Sequence, residues 1–167
     1  MMSKQIGNVG LWLGTMTMLL GSRAVVQAAS SSTKVGDESK KAARLFRDIR
    51  ADAVKVRSAA ARLDTLSANP ASKWLDYDRQ WNEIKPSAED MQMKLARLEK
   101  MQAAISPAEQ AELDQSKSLI VEIQSRTHQL RMLLDKPGVQ TSDPRFKTYS
   151  RSLKNEAQKL EKTDSAS

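Results

Sequence analysis

The side chains able to do chemistry in this sequence are mostly cations. Lys and Arg total 27 against 20 Asp and Glu, a formal charge of +7. Five of them, Lys40, Arg44, Arg47, Lys55 and Arg62, recur on the side of the first hydrophobic repeat that faces away from its apolar residues. A basic stripe of this kind attracts anions such as phospholipid head groups or acidic polysaccharide, or it is simply a solvated face. Arg145, Lys147, Arg151 and Lys154 form a second basic group near the end of the chain. No nucleic-acid partner is expected.

A second group is aromatic. Trp74, Tyr77 and Trp81 stand three and four residues apart, the spacing that places side chains on one helical face. Such a face stacks on a sugar, grips an apolar ligand or packs the end of a core. The other reactive types are sparse. His128 is the single histidine; it lies one residue past the seam position Thr127 and is expected on the outside. No Glu-x-x-His occurs, so a carboxylate-bridged two-metal bundle is unsupported. Met91 and Met93 are two residues apart and would point to different sides of a helix, so they cannot share an ion. Asp48 and Asp52 are one helical turn apart, with Arg44 and Lys55 beside them as neutralising partners. The chain has no cysteine, which excludes disulfides, Cys-based zinc sites, thiol nucleophiles and covalent c-type haem. There is no Gly-rich phosphate loop and no Gly-x-Ser-x-Gly turn. No catalytic residue, metal or cofactor is therefore expected, and the chain does not read as an enzyme.

Whatever these residues do, helices must position them. Between Asp37 and Pro137 there is no glycine, and Gly36 and Gly138 bracket the stretch. Apolar residues recur there at alternating steps of three and four, the period of a helix buried along one side. The first seam reads Ala42, Phe46, Ile49, Ala53, Val56, Ala60, Leu63. Asn69-Pro70 is read as its end and as the cap of the next helix. The second seam is Trp74, Tyr77, Trp81, Ile84, Ala88, Met91, Leu95, Leu98, Gln102, Ile105. Pro86 lies inside it; because Ile84 and Ala88 stay in phase, a kinked but continuous helix is expected rather than two collinear pieces.

Ser106-Pro107-Ala108-Glu109 is a capping box with proline at the first helical position. Ile105 to Gln110 around it resembles the LTxxQ signature of small periplasmic helical stress chaperones, but Glu109 stands where that signature has Gln. The resemblance covers six residues and implies no membership. Leu113, Ile120, Ile123, Leu130 and Leu134 make the third seam, widened by Leu119 and Leu133. A tight hairpin at Ser106-Pro107 is favoured over a long bent helix. Thr141-Ser142-Asp143-Pro144 caps a shorter fourth helix with Phe146, Tyr149, Leu153, Ala157 and Leu160 inward.

Short links between long helices force antiparallel neighbours. The expected fold is all-α, an elongated up-and-down bundle of three long helices and a shorter fourth with coiled-coil-like seams. A helix of about 30 residues is about 45 Å long. The same heptads could instead close through a partner chain.

The first residues carry one cation, Lys4, then an apolar run from Val9 to Leu20, then Val26 and Ala28 as a small-residue pair. This pattern predicts an export signal over 1–28 with cleavage after Ala28, leaving 25 cations against 20 anions once Lys4 and Arg23 are removed. The run falls short of the roughly 20 residues that span a bilayer, so no stable transmembrane span is expected after cleavage. Residues 29–36 are expected as a flexible linker, 37–162 as the bundle and 163–167 as a frayed tail. The destination is periplasmic or extracellular. The functional expectation is a non-enzymatic exported protein acting by protein–protein contact or self-association, as scaffold, adaptor or chaperone-like holder. The alternative is binding of an anionic envelope ligand by the basic face of the first helix, aided by Arg145, Lys147, Arg151 and Lys154.

Overall fold

A computed structural model describes residues 24–69, 71–137 and 143–163, with side chains of the first helix described from Gly36 onward. Its elements are α1 (Ala24–Ala68), α2 (Trp74–Lys100), a 3₁₀ turn (Gln102–Ala104), α3 (Pro107–Leu134) and α4 (Pro144–Glu161). Among the described residues there is no strand. The chain is an all-α bundle, as its periodicity predicts.

The seams do the packing. All seven predicted seam residues of α1 are buried, as are Tyr77, Ile84, Ala88, Met91, Leu95 and Leu98 of α2. Leu113, Ile120, Ile123, Leu130 and Leu133 of α3 meet Phe146, Leu153, Ala157 and Leu160 of α4 in one core. Leu133 rather than Leu134 takes the last fully buried position of α3. The α1 seam is rich in alanine (Ala42, Ala53, Ala59 and Ala60 are all buried), so its neighbours approach closely.

Helix α1 lies beside α2 and α4, and α3 lies beside α2 and α4. The order around the bundle is therefore α1, α2, α3, α4. Cross-links fix the directions. Asp52 meets Lys94 while Arg62 meets Glu83, so α1 and α2 run antiparallel. Lys117 meets Glu99 while Arg131 meets Asp78, so the chain turns back as a hairpin at Ser106-Pro107. Arg57 meets Glu161 while Arg151 meets Asp64, so α4 runs antiparallel to α1. At 27 residues α2 is about 40 Å long.

Several boundaries differ from the sequence reading. Residues 29–36, expected as a linker, belong to α1. The stretch contains no proline; Ser and Thr are tolerated in helices, and Gly36 costs only about 1 kcal/mol relative to Ala. Of the predicted export signal, residues 1–23 lie outside the described residues. Helix α2 begins at Trp74, not at Pro70, which is itself outside the described residues. Asn69 makes a turn instead of a cap: its side-chain oxygen accepts from the Ala71 N–H at 3.0 Å, and its carbonyl accepts from the Ser72 N–H. The Lys73 N–H then finds the Asp76 carboxylate at 3.2 Å. At the other end α2 stops at Lys100, so Gln102 and Ile105 leave the second seam. Pro86 lies within a continuous α2, on the exposed side.

The capping box at Ser106 forms as read: Ser106 Oγ accepts from the Glu109 N–H at 3.2 Å, and Glu109 accepts from the Ser106 N–H at 2.7 Å. Asp143 caps α4 by accepting from the Arg145 N–H at 2.9 Å, while Thr141 and Ser142 fall outside the described residues. Thr163, expected in the frayed tail, is buried, and its carbonyl accepts from the Arg50 guanidinium at 2.8 Å. Residues 164–167 of the tail are outside the described residues.

Candidate anion-binding face

In the ring each helix has two neighbours, and pairing α1 with α4 and α2 with α3 gives two layers that differ in charge. Helix α1 carries nine cations and five anions, and α4 carries five and two, so this layer stands at +7. Helix α2 carries five cations and six anions, and α3 carries three and four, which leaves the opposite layer at −2. A field of one sign over one face concentrates counter-charged ligands there. The sequence names both basic groups; the structure sets the two helices that carry them, α1 and α4, side by side.

The five predicted α1 cations divide. Lys40, Arg44 and Arg47 are exposed, and no hydrogen bond or ion pair engages them among the described residues. Lys55 and Arg62 lean toward α2. Lys55 lies 2.8 Å from Asp52, whose hydrogen bond and charge raise the lysine pKa above its ordinary value. Arg62 lies 2.8 Å from Glu83. On α4, Arg145 is held by Asp143 at 2.6 Å and Arg151 by Asp64 at 3.1 Å, whereas Lys147 and Lys154 have no partner among the described residues. The face thus mixes cations locked in place with cations left to solvent.

The aromatic residues are not brought into one stacking surface. Tyr77 is fully buried, and burial raises its hydroxyl pKa. Its ring lies 4.9 Å from Phe146, and Trp74 meets Phe146 edge-on at 5.6 Å. These three rings close one end of the core. Trp81 lies apart, between α2 and α3. Its indole N–H donates to the Thr127 carbonyl at 3.2 Å, and its ring carries the Arg131 guanidinium at 4.7 Å and the Lys85 ammonium at 5.5 Å. His128 is exposed beside it. Met91 is buried and Met93 exposed, so the two sulfurs face different sides.

Two buried carboxylates were not anticipated as core. Asp52 is 2% exposed and bridges Lys94 and Lys55, while Asp48 one turn earlier is exposed. Glu112 is 5% exposed and takes the Arg50 guanidinium, which also caps the end of α4 at the Thr163 carbonyl. A cation there is favoured by the helix dipole. These pairs tie the layers together where the shorter α4 runs out. Among the described residues no group of three or more His, Cys, Asp or Glu side chains is placed to hold a metal ion.

Grooves between helices complete the surface. Three of them carry a carboxylate in the wall: Glu156 along α4, Glu89 beside Trp81, and Asp76 between α1 and α2. A fourth, of about 320 Å³, lies between α1 and α4 and is lined by Arg57, Ser58, Ala61, Lys154 and Gln158. Of its members only Lys154 stands out in the sequence; the others need the α1–α4 pairing to be seen.

No family model matches the chain, and neither a curated protein nor a solved structure matches it significantly. Among the described residues no helix is long and apolar enough to cross a membrane.

Proposed function

We propose that this protein is an exported, non-enzymatic helical bundle that docks on an anionic surface of the cell envelope through its α1/α4 layer. The observation that carries the reading is the segregation of charge, +7 on α1 and α4 against −2 on α2 and α3. The surplus is not part of the packing, because the core and the ion pairs between helices hold the bundle together without it.

Contact through apolar helix faces has less support. The four seams close on one another within the chain. The large apolar side chains left outside, Val54, Trp74, Leu75, Met93, Val121 and Met132, are spread over three helices. Protein contact keeps one specific form, an acidic partner on the same basic face. Export rests on Lys4, the Val9 to Leu20 run and the Val26/Ala28 pair.

The test is cosedimentation of protein recovered from its own envelope fraction with anionic and with zwitterionic vesicles across a salt series. Binding to the anionic vesicles alone is expected, falling steeply as salt screens the face. Equal binding to both vesicles, or affinity indifferent to salt, overturns the reading. The amino terminus of the same material reads the export step: it should begin at Ala29.

A further inference from the structure

We propose that the α1/α4 groove is a subsite for a phosphate group carried by a lipid head group, set into the basic layer. This rests on the reading above and narrows it from an anionic surface to one chemical group. The wall of the groove offers the Arg57 guanidinium, the Ser58 hydroxyl, the Lys154 ammonium and the Gln158 amide; the nearest acid, Glu161, lies behind the wall against Arg57 Nε. Three other grooves each have a carboxylate in their lining, Glu156, Glu89 and Asp76.

The donors are also arranged for use. Arg57 Nε lies 2.9 Å from Glu161 Oε2, with both atoms shut off from water. The pair is a charge contact without a hydrogen bond, and the two terminal nitrogens of Arg57 have no partner among the described residues. Lys154 is half-buried and likewise unpartnered there. Lys154 and Gln158 are one turn apart on α4 and share a face. Across from them, Ser58 and Ala61 are small, which opens a floor between the helices. The groove, about 320 Å³, holds about ten water volumes, room for a phosphate and its hydration. Five or more donor hydrogens from two helices exceed what a carboxylate's two oxygens use. They suit a phosphomonoester, with three oxygens and close to two charges.

Vesicles of phosphatidylcholine containing phosphatidic acid, compared with vesicles brought to the same surface charge with oleate, separate phosphate recognition from plain charge. The native protein should prefer the phosphatidic acid by about tenfold, as one charge-assisted hydrogen bond supplies. Ser58→Glu puts a carboxylate at the groove on an exposed helical position, and Lys154→Gln removes its free charge. Both variants should keep native helicity by circular dichroism and salt-dependent binding, and lose the preference. Inorganic phosphate should shift the backbone amide resonances of Ser58 and Gln158 in the native protein and not in Ser58→Glu. Equal native affinity for the two matched vesicles, or a preference that survives Ser58→Glu, overturns the subsite while leaving the basic face standing. Failure to bind either vesicle overturns the basic-face reading; the subsite then stands or falls on whether inorganic phosphate moves those two resonances.

Discussion

The two layers of the bundle are built alike inside and differently outside. Both bury an unbroken seam, Ala and Leu with Phe46 and Phe146 in α1/α4, and Ile, Leu and Met with Tyr77 in α2/α3. Both layers pair cations with acids, Lys117 with Glu99 at 2.6 Å and Arg131 with Asp78 at 3.1 Å in one, Arg62 with Glu83 at 2.8 Å and Arg151 with Asp64 at 3.1 Å in the other; what differs is the surplus. Arg79, Arg97 and Lys100 are the exceptions in α2, in a layer whose acids outnumber its cations. On α1/α4, Lys40, Arg44, Arg47, Lys147, Lys154 and Lys159 have no such partner among the described residues. The difference teaches where folding stops constraining the sequence. Exposed pairs add little stability, so the fold neither needs the balance of one face nor gains from the imbalance of the other. A like-charged face repels itself, a cost that the proposed anionic partner would relieve.

The sharpest way to break the comparison is to ask whether the insides are equal. Leu153→Ala in α4 and Ile123→Ala in α3 remove side chains that are fully buried. Each should cost about 2–5 kcal/mol in urea unfolding. A negligible loss for Leu153→Ala alone would mean that α4 is not an integral wall, and the two-layer description would fail with it.

The outsides should respond unequally. Replacing Lys40, Arg44 and Arg47 together by Gln is expected to weaken binding to anionic vesicles about a hundredfold, at roughly 1 kcal/mol per cation near a charged surface. The matched control replaces Arg97 and Lys100 of α2 and Lys117 of α3 by Gln, which removes the same formal charge from the other layer. Its effect should stay within about threefold if placement on α1 and α4, and not net charge, drives binding. Equal losses from both sets would show that net charge, not its placement, drives binding.

The ties between layers come next in size. Asp52→Asn leaves Lys94 and Lys55 without their shared carboxylate, and the loss should be about 1–3 kcal/mol. Lys94 softens it by swinging its ammonium toward water. A double-mutant cycle with Lys94→Met measures the coupling directly.

The sequence made the inner faces readable because burial repeats with helical period. Ala42 to Leu63 and Phe146 to Leu160 are placed by that period alone, and the Ser106 box by the rule for capping a helix. The ring order is not periodic information. It depends on which helix faces close against which, so the meeting of Lys154 with Arg57 and Ser58 was out of reach. Asp52 and Glu112 were hidden for a related reason: a carboxylate reads as surface until a cation from another helix is known to cover it. The start of α2 was misplaced because Asn69 suits both a cap and a turn, and the Ser72 hydroxyl, which donates to the Leu66 carbonyl at 2.9 Å, favours the turn.

The smallest expected effect lies at the start of α4 and bears on how the basic layer holds its own helix. Asp143 accepts from the Arg145 N–H and from its guanidinium; the side-chain hydrogen bond from Arg145 is the main cause that lowers the carboxyl pKa from 3.8 to about 2. A carboxyl held below its unfolded value stabilises the fold fully above that value. Its contribution fades as pH falls from about 4 toward 2. Asp143→Ala should therefore cost about 1 kcal/mol at neutral pH, the usual worth of a helix cap. Asp143→Asn keeps an acceptor for the cap but has no proton to take up, so the native protein's advantage over it should shrink across that acid window. An advantage unchanged between pH 4 and pH 2 would mean that the Asp143–Arg145 contact contributes nothing to holding α4 in the layer.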